Sequence, residues 1–280
     1  MTDSPFRFDG AHVFVAGGTS GINLGIALGF ARAGAKVAVM SRDEAKVAAA
    51  QEELRAAQAA GGGDGDALGF AADVRDYAAV SGALQASHDA FGDIDVLVSG
   101  AAGNFVAPAT GMSSNGFRVV VEIDLMGTFH VMRAAHQYLT KPGASVINIS
   151  APQAYVPMML QSHVCAAKAG IDMLTRTLAM EWARDGIRVN SISPGPIADT
   201  EGMRRLAPTP EAEAASKAAV PLGRWGEKSE IAGVAQFLSS PMAAYITGVI
   251  LPVDGGNAIG PYNPKALDQF QEMGIAGRNG

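Results

Sequence analysis

The stretch His12-Val13-Phe14-Val15-Ala16-Gly17-Gly18-Thr19-Ser20-Gly21-Ile22 decides the fold of this 280-residue chain. Its first half is apolar and mostly β-branched or aromatic, which predicts a buried parallel strand. The helical spacing of Ile26 and Phe30 predicts a helix that ends near Gly34. Glycines between a strand and a helix let the backbone approach an anion, whose phosphates then face the free amides of the helix N-terminus. The stretch predicts a nucleotide-binding βα unit, although a tight turn without a ligand has the same spacing.

Composition and charge narrow the class of protein. A net charge of -6 without a basic block argues against nucleic acid as the main partner. No apolar run approaches the length of a membrane span, and residues 1–5 lack the features of a signal peptide. We therefore expect a cytoplasmic protein without a membrane partner. Because Cys165 is the only cysteine, an internal disulfide and a cysteine-rich metal site are excluded, and no metal is expected.

Strands and helices alternate along the rest of the chain. Apolar runs predict strands at 36–40, 67–71, 94–98, 145–149, 188–192 and 249–253, with helices at 43–60, 115–139 and 163–184. This order predicts a single α/β domain with a doubly wound, seven-stranded parallel sheet and helices on both faces. We place the domain at residues 1–260, with an inserted substrate lid at 193–220 and a C-terminal tail at 261–280.

Residues at the carboxyl ends of the predicted strands are candidates for cofactor contacts. Arg42 follows the second strand, where an Arg accommodates the extra phosphate of NADP. Arg42 thus favours NADPH, with two alternatives: Asp43 binds the ribose of NAD, or Arg42 is only a solvated residue at a helix start. Asp73, which follows the third strand, is placed to accept the adenine amino group or to cap the next helix.

Several short motifs together resemble the short-chain dehydrogenase/reductase family. They are the glycine turn, Asp73-Val74, Lys168-Ala169-Gly170, Arg188-Val189-Asn190, Pro194-Gly195-Pro196 and Thr247-Gly248 through Asp254-Gly255-Gly256. The resemblance implies a Rossmann-like fold, a nicotinamide cofactor and a homotetramer. The candidate cofactor-binding residues are Gly17, Thr19, Ser20, Gly21, Ile22, Arg42, Asp73, Val74, Ala101, Lys168, Pro194, Gly195, Ile197 and Thr200.

The catalytic positions depart from that family's pattern. The family has a Tyr four residues before the Lys, a Ser seventeen residues before it and an Asn in the preceding long helix. Here Val164, Ala151 and Asp124 occupy these positions, and only Lys168 remains. Without the Tyr hydroxyl, ordinary ketone reduction loses its general acid, a loss of about 10²–10⁴ in rate. Asn23 also stands where the family has a third glycine.

One branch of the family, the 2,4-dienoyl-CoA reductases, departs in the same way, and the chain resembles its peroxisomal type. The matching segments are residues 101–105, 122–129, 161–163 and 195–206. This resemblance implies NADPH-dependent reduction of a conjugated dienoyl-CoA thioester, with Asn104 and Asp124 at catalytic positions. The chain ends in Arg278-Asn279-Gly280, which is not a peroxisomal address.

Each residue carried over from the branch has a predicted task. The Asn104 amide stabilises negative charge on the thioester oxygen, and Lys168 holds the nicotinamide ribose. Asp124 positions a water that protonates carbon. Structural alternatives are an ion pair for Asp124 and Lys168, and a loop cap for Asn104. The candidate substrate contacts are Phe105, Gln153 and Tyr155.

Two other functions stay open from the sequence. In the first, Tyr155 is the acid of a short-chain reductase that acts on another carbonyl or enoyl substrate. In the second, the chain binds NADPH without catalysis. Arg204 and Arg205 in the lid either bind phosphates of coenzyme A or form a solvated pair.

Overall fold

Seven parallel strands form one sheet in the computed structural model, which describes residues 6–62, 66–263, 265, 266 and 269. The strands are β1 (His12–Ala16), β2 (Lys36–Ser41), β3 (Ala67–Ala71), β4 (Val96–Ser99), β5 (Ser145–Ile149), β6 (Arg188–Pro194) and β7 (Ile250–Val253). Their order across the sheet is β3-β2-β1-β4-β5-β6-β7. The winding reverses between β1 and β4, which is where an open α/β sheet binds its ligand. The predicted doubly wound sheet is confirmed.

Helices cover both faces of the sheet. In chain order they are α1 (Gly21–Arg32), α2 (Glu44–Ala60), α3 (Tyr77–Phe91), α4 (Ser114–Val121), α5 (Gly127–Ala135), α6 (Ser162–Glu181), α7 (Glu201–Leu206), α8 (Pro210–Ala218) and α9 (Lys228–Ser239). Residues of α1, α2 and α9 form one apolar layer, and residues of α3, α5 and α6 form the other.

Successive side chains of β1 point alternately into the two apolar layers. Val13 and Val15 belong to the layer under α1, whereas Phe14 and Ala16 belong to the opposite layer. All four side chains are fully buried, as expected for a parallel strand covered on both faces. Each buried side chain of valine or phenylalanine size stabilises the fold by about 1.5–3 kcal/mol.

The single helix predicted at 115–139 is interrupted. A π-helical turn, Glu122–Met126, separates α4 from α5, and a 3-10 turn, His136–Tyr138, follows α5. The prediction was wrong here because an apolar period of 3.6 continues through a turn that adds only one residue. Thr128 Oγ1 donates a hydrogen bond to the carbonyl oxygen of Asp124 at 2.6 Å, and the Asp124 side chain is fully buried. Such turns are frequent at functional sites.

The ends of the chain and the insertion complete the description. The segment at 193–220 begins with the last residues of β6 and contains α7 and α8. Most of the predicted tail at 261–280 lies outside the described residues, and so do residues 1–5. Within the described part, no helix is both long and apolar enough to span a bilayer, and no His, Cys, Asp or Glu cluster fits a metal ion.

A reciprocal cap begins α9, which packs against α1. Glu227 and Glu230 form a capping box, in which the Glu227 amide donates to Glu230 Oε2 at 2.8 Å. The Arg224 guanidinium donates to both carboxylate oxygens of Glu230, at 2.8 and 2.7 Å. These bonds lower the pKa of the Glu230 carboxyl to about 2.

We expect Glu230→Gln to weaken the acid dependence of stability. Because the folded-state pKa of Glu230 is lowered, its carboxylate stabilises the fold above the ordinary value of 4.5, and this contribution is lost as the pH falls toward 2. Urea unfolding across this pH range should therefore show a smaller fall in the free energy of unfolding for Glu230→Gln than for the wild type. Glu213→Gln, which removes an exposed partner of Lys217, is the control and should keep the wild-type slope. Equal slopes for Glu230→Gln and the wild type would contradict this role.

Candidate active site

The glycine turn between β1 and α1 has the geometry that a dinucleotide needs. Gly17 and Gly21 have φ angles of +76° and +57°, which favour glycine. A Cβ atom on Gly17 would lie 2.8 Å from the backbone of Ala101, so the two loops touch at this point. Ser20 precedes α1 without a side-chain capping bond, which leaves the first amides of the helix, including that of Ile22, for an anion. Thr19, beside them, is buried.

Asn23 connects the two halves of this crevice. Its Nδ2 donates to the carbonyl oxygens of Gly17, at 3.3 Å, and of Gly100, at 2.7 Å. Gly100 makes room for the amide, because a Cβ there would lie 2.3 Å from Asn23 Oδ1. The side chain that replaces the family's third glycine thus joins the turn after β1 to the loop after β4, which sequence reasoning did not explain.

The residues beyond β2 and β3 form a charged group at the edge of the crevice. The Arg42 side chain is 61% exposed, and its nearest carboxylate is Asp73, 3.9 Å away. Asp43 caps α2 by accepting a hydrogen bond from the Lys46 amide. Arg75 donates to both oxygens of Asp73, which lowers the pKa of that carboxyl. The cap of α3 is Asp76, so the alternative that Asp73 caps this helix was wrong.

The other candidate cofactor residues lie at the same edge of the sheet. Val74 is buried, and its carbonyl accepts from His130. Pro194 ends β6, and the Gly195 amide donates to the Val253 carbonyl at 3.0 Å. Thr200 Oγ1 donates to the Ile197 carbonyl at 2.8 Å and caps α7. Arg204 and Arg205 are exposed and both pair with Glu201, which agrees with the alternative that they form a solvated pair.

The centre of the site is a buried ion pair. Lys168 Nζ lies 3.6 Å from Asp124 Oδ2 and donates to the Ile149 carbonyl at 3.0 Å. Asp124 Oδ1 accepts a hydrogen bond from the Gly103 amide at 2.7 Å. These contacts tie the π-helical turn to α6, to the end of β5 and to the loop that carries Asn104.

Burial sets the electrostatics of Asp124. Desolvation raises the pKa of its carboxyl, and the charge of Lys168 and the Gly103 hydrogen bond oppose this shift. The side chain has no solvent exposure, whereas that of Lys168 is 7% exposed. Asp124 thus contacts Lys168 and Gly103 directly, and the water that it is predicted to position stays a prediction.

Three side-chain amides form a network beside the ion pair. Gln161, directly before α6, is buried, and its Oε1 accepts from Asn104 Nδ2 at 3.3 Å and from Gln153 Nε2 at 3.1 Å. Asn104 is exposed and Gln153 half-buried, so both amides border solvent. The structure therefore brings together two of the predicted site residues, while the sequence analysis gave no role to the glutamine that joins them.

The Phe105 ring packs against the imidazole of His163, a residue at the start of α6 that is not among the predicted site residues. Their ring centroids are 4.3 Å apart, and a Cβ on Gly116 would lie 3.2 Å from the Phe105 ring. The imidazole is fully buried and neither ring nitrogen has a well-formed hydrogen bond within the described residues. Burial lowers the pKa of the His163 imidazole. A polar residue at a core-facing helical position was the available signal.

An open cavity of about 370 Å³ borders this group. Ser162, next to Gln161, is part of its wall. The other lining residues are Ala109, Met112, Ser113, Ser114 and Phe117. Val106 and Met159, on the loops before α4 and α6, also expose apolar side chains. The space has the size and character that a small apolar chain requires.

Tyr155 makes its hydrogen bond with Ser193 and not with the ion pair of Lys168 and Asp124. Its hydroxyl and that of Ser193 are 3.1 Å apart, and 45% of the residue is exposed. Burial of the hydroxyl raises the pKa of Tyr155, opposed by Ser193, and the charges of Asp254 and Asp172 raise it further.

Comparisons with known proteins agree with this geometry. A family model described as enoyl-(acyl carrier protein) reductase matches residues 16–258. A solved short chain dehydrogenase from Bacillus anthracis superposes with a TM-score of 0.81 at 36% identity, covering 91% of this chain and 98% of that one. The chain belongs to the short-chain dehydrogenase/reductase family. This membership explains the order of the strands in the sheet, the glycine turn and the buried lysine.

Individual relatives and structures are similar over most of their length. The chain is 41% identical over 267 residues to a peroxisomal 2,4-dienoyl-CoA reductase, (3E)-enoyl-CoA-producing, of Arabidopsis thaliana, covering 91% of this chain and 87% of the relative. It is 38% identical to a probable 2,4-dienoyl-CoA reductase, (2E)-enoyl-CoA-producing, of Bacillus subtilis, covering 89% and 97%. The Pseudomonas aeruginosa RhlG/NADP active-site complex has a TM-score of 0.83 at 30% identity, covering 92% and 100%. Family membership indicates a nicotinamide cofactor, and the turn at Gly17 fits one.

We expect Gly100→Ala to disturb the crevice only while Asn23 is present. The added methyl would collide with the Asn23 amide, and overpacking of this kind costs about 1–3 kcal/mol. In an Asn23→Gly background the same substitution should cost much less, which a double-mutant cycle of thermal unfolding and cofactor affinity measures. Gly82→Ala in α3, where a Cβ meets nothing within 4 Å, is the control and should be tolerated. Additive effects of Asn23→Gly and Gly100→Ala would contradict the pairing.

Proposed function

We propose that this chain is an oxidoreductase that reduces a conjugated 2,4-dienoyl-CoA thioester with NADPH. The observation that carries the proposal is the buried pair of Lys168 and Asp124 next to the exposed amide of Asn104, at a site where the usual Tyr is Val164. The names of the relatives from Arabidopsis thaliana and Bacillus subtilis support the substrate class. When bound, the dinucleotide supplies the hydride.

The residues of the chain then have separate tasks. The Asn104 amide donates a hydrogen bond to the thioester oxygen, where negative charge develops as the conjugated system is reduced; removing such a donor costs about 10²–10³ in rate. Lys168 holds the nicotinamide ribose and adds positive charge. Asp124 fixes Lys168 and, through the Gly103 amide, the loop that presents Asn104. Protonation of carbon comes from water and needs no tyrosine hydroxyl.

The cofactor contacts follow from the crevice. Amides at the start of α1 face the diphosphate, and Thr19, Ser20 and Ile22 line the same turn. The exposed Arg42 guanidinium is available to a 2′-phosphate because its nearest carboxylate lies 3.9 Å away and already binds Arg75. Asp73, Val74 and Ala101 border the adenosine half, and Pro194, Gly195, Ile197 and Thr200 border the nicotinamide half.

Substrate contacts and the lid complete the proposal. Phe105 and Gln153 contact the acyl thioester, Tyr155 lines the entrance, and the segment 193–220 with α7 and α8 covers the bound substrate. The apolar cavity beside Ser162 supports a fatty acyl chain as the group that enters.

We also propose a homotetramer and a cytoplasmic location. Exposed apolar side chains on α4 to α6 support the assembly, and the mass in solution tests it. They are those of Phe117, Met126, Phe129, Met173 and Met180. The single cysteine cannot form an internal disulfide, which fits a reducing cytoplasm, and fractionation of cells tests the location.

NADPH oxidation with a trans-2,trans-4-dienoyl-CoA should be fast in the wild type, beside little turnover of a simple ketone. Asn104→Ala should lower kcat by about 10²–10³. Asp124→Asn keeps an oxygen for Gly103 but removes the charge beside Lys168, and misplacement of these groups should cost about 10². Tyr155→Phe should keep turnover of the same order. If Tyr155→Phe lost turnover but still bound NADPH, the alternative in which Tyr155 is the acid would be favoured instead. Product analysis distinguishes a (3E)-enoyl-CoA from a (2E)-enoyl-CoA product.

Substitution of Arg42 should change the preference between NADPH and NADH. Arg42→Ala removes the guanidinium that meets the 2′-phosphate, so kcat/KM for NADPH should fall by about 10-fold or more while that for NADH changes little. Steady-state kinetics with both cofactors measure this ratio. Arg55→Ala, which removes an exposed arginine of α2 paired with Glu52, is the matched control. An unchanged ratio for Arg42→Ala would assign the preference to another residue.

A further inference from the structure

Gln161 is the one acceptor shared by the amides of Asn104 and Gln153 in the described part of the chain. The three residues come from the loop after β4, the loop after β5 and the start of α6. The distances to Gln161 Oε1 are 3.3 Å from Asn104 Nδ2 and 3.1 Å from Gln153 Nε2. Although Gln161 stands at the cap position of α6, its side chain makes no capping bond. Its amide oxygen accepts from both of these amides.

The orientation of Gln161 is fixed by its neighbours. Its Nε2 lies 3.6 Å from Met158 Sδ, and a thioether is a weak acceptor that has nothing to donate. The reversed amide would place its carbonyl oxygen against this sulfur and turn a donor toward the two NH₂ groups. Leu160, directly before Gln161, has a φ of +66°, and its carbonyl accepts a hydrogen bond from the Ala107 amide at 2.9 Å. A leucine in this conformation is strained and is held by its surroundings.

The shared acceptor leaves a donor free on each amide. A primary amide has two N–H groups, and Gln161 takes one from Asn104 and one from Gln153. Within the described residues, neither amide nitrogen has a second acceptor among the hydrogen bonds of the structure. Both amides border solvent, and Gln161, at 5% exposure, lies behind them. The remaining N–H groups are thus held near each other at the open side of the network.

We propose that Gln161 is a positioning residue that aims the amides of Asn104 and Gln153 together at the thioester oxygen. This inference rests on the proposed function and adds a second donor, Gln153, to the first. Donors that are oriented before the reaction stabilise developing charge without a cost of reorganisation. Gln161 is neutral, so it orients both amides without placing a negative charge beside the negative charge that develops on the substrate.

The test uses the full-length protein, NADPH and a trans-2,trans-4-dienoyl-CoA. Gln161→Leu should lower kcat by about 10² while the Kd for NADPH stays unchanged, and Gln153→Leu should lower kcat less. Adding Gln153→Leu to Gln161→Leu should cost little more, because the aim of both amides is already lost. Gln161→Glu keeps an acceptor for both donors but adds a charge, so its kcat should rise as the pH falls and the carboxyl is protonated. A purely structural role would not produce this pH profile.

Gln58→Leu is the matched control. Gln58 is also a buried glutamine with two hydrogen bonds, to the carbonyls of Ala35 and Asp66, but it lies in α2. It should reduce stability without changing kcat.

A spectroscopic readout separates the inference from the proposed function. A saturated acyl-CoA with a ¹³C-labelled thioester carbonyl, bound with NADP⁺, should absorb at lower frequency in the wild type and in Gln58→Leu than in water. In Gln161→Leu the frequency should move back toward the free value. Wild-type kcat and carbonyl frequency in Gln161→Leu would overturn the inference while leaving the proposed function intact. A wild type that neither reduces the dienoyl-CoA nor shifts the carbonyl would overturn both, and a shift without turnover that Gln161→Leu abolishes would overturn only the proposed reaction.

Discussion

The candidate site depends on the ion pair between Lys168 and Asp124. Each partner brings further hydrogen bonds, to the Ile149 carbonyl and from the Gly103 amide, so the pair joins four segments of chain. Because both side chains are almost fully removed from water, loss of one partner would leave an uncompensated charge and cost about 3–5 kcal/mol. The pair holds the loop that carries Asn104. The same contacts therefore stabilise the fold and position the groups of the candidate site.

Most of the sheet was predictable, because strands buried on both faces appear as continuous apolar runs bounded by small residues. The residues of β3 and β5 were predicted without error, and other strand ends differ by one or two residues. The break between α4 and α5 was not predictable. One additional residue in a π-helical turn hardly changes the apolar period, and the burial of Asp124 that results depends on packing against Lys168 and Gly103.

The site was predictable where its chemistry is local in the sequence. The glycine turn is a short pattern that can be recognised within one segment. The same holds for the positions four and seventeen residues before Lys168, which Val164 and Ala151 occupy. Asn23 and Gln161 are different, since their hydrogen bonds reach Gly100 and Asn104, which are 77 and 57 residues away. No periodicity encodes such a contact. The structure explains why Asn23 can replace a glycine, because Gly100 lies opposite it and leaves room for the amide.

The π-helical turn also bears on which insertions and deletions this chain tolerates. Deleting one residue from Glu122–Met126 would restore an uninterrupted α-helix, which local helix propensity favours. A π-helical turn takes up one residue more than an α-helical turn, so α5 would keep the face that it presents to the sheet after such a deletion. Thr128 and Val131 would therefore stay buried, and the change would fall on the turn itself, where the Asp124 side chain is fully buried. The extra residue thus sets the place of one carboxylate while the packing of the core is left to the residues on either side of it.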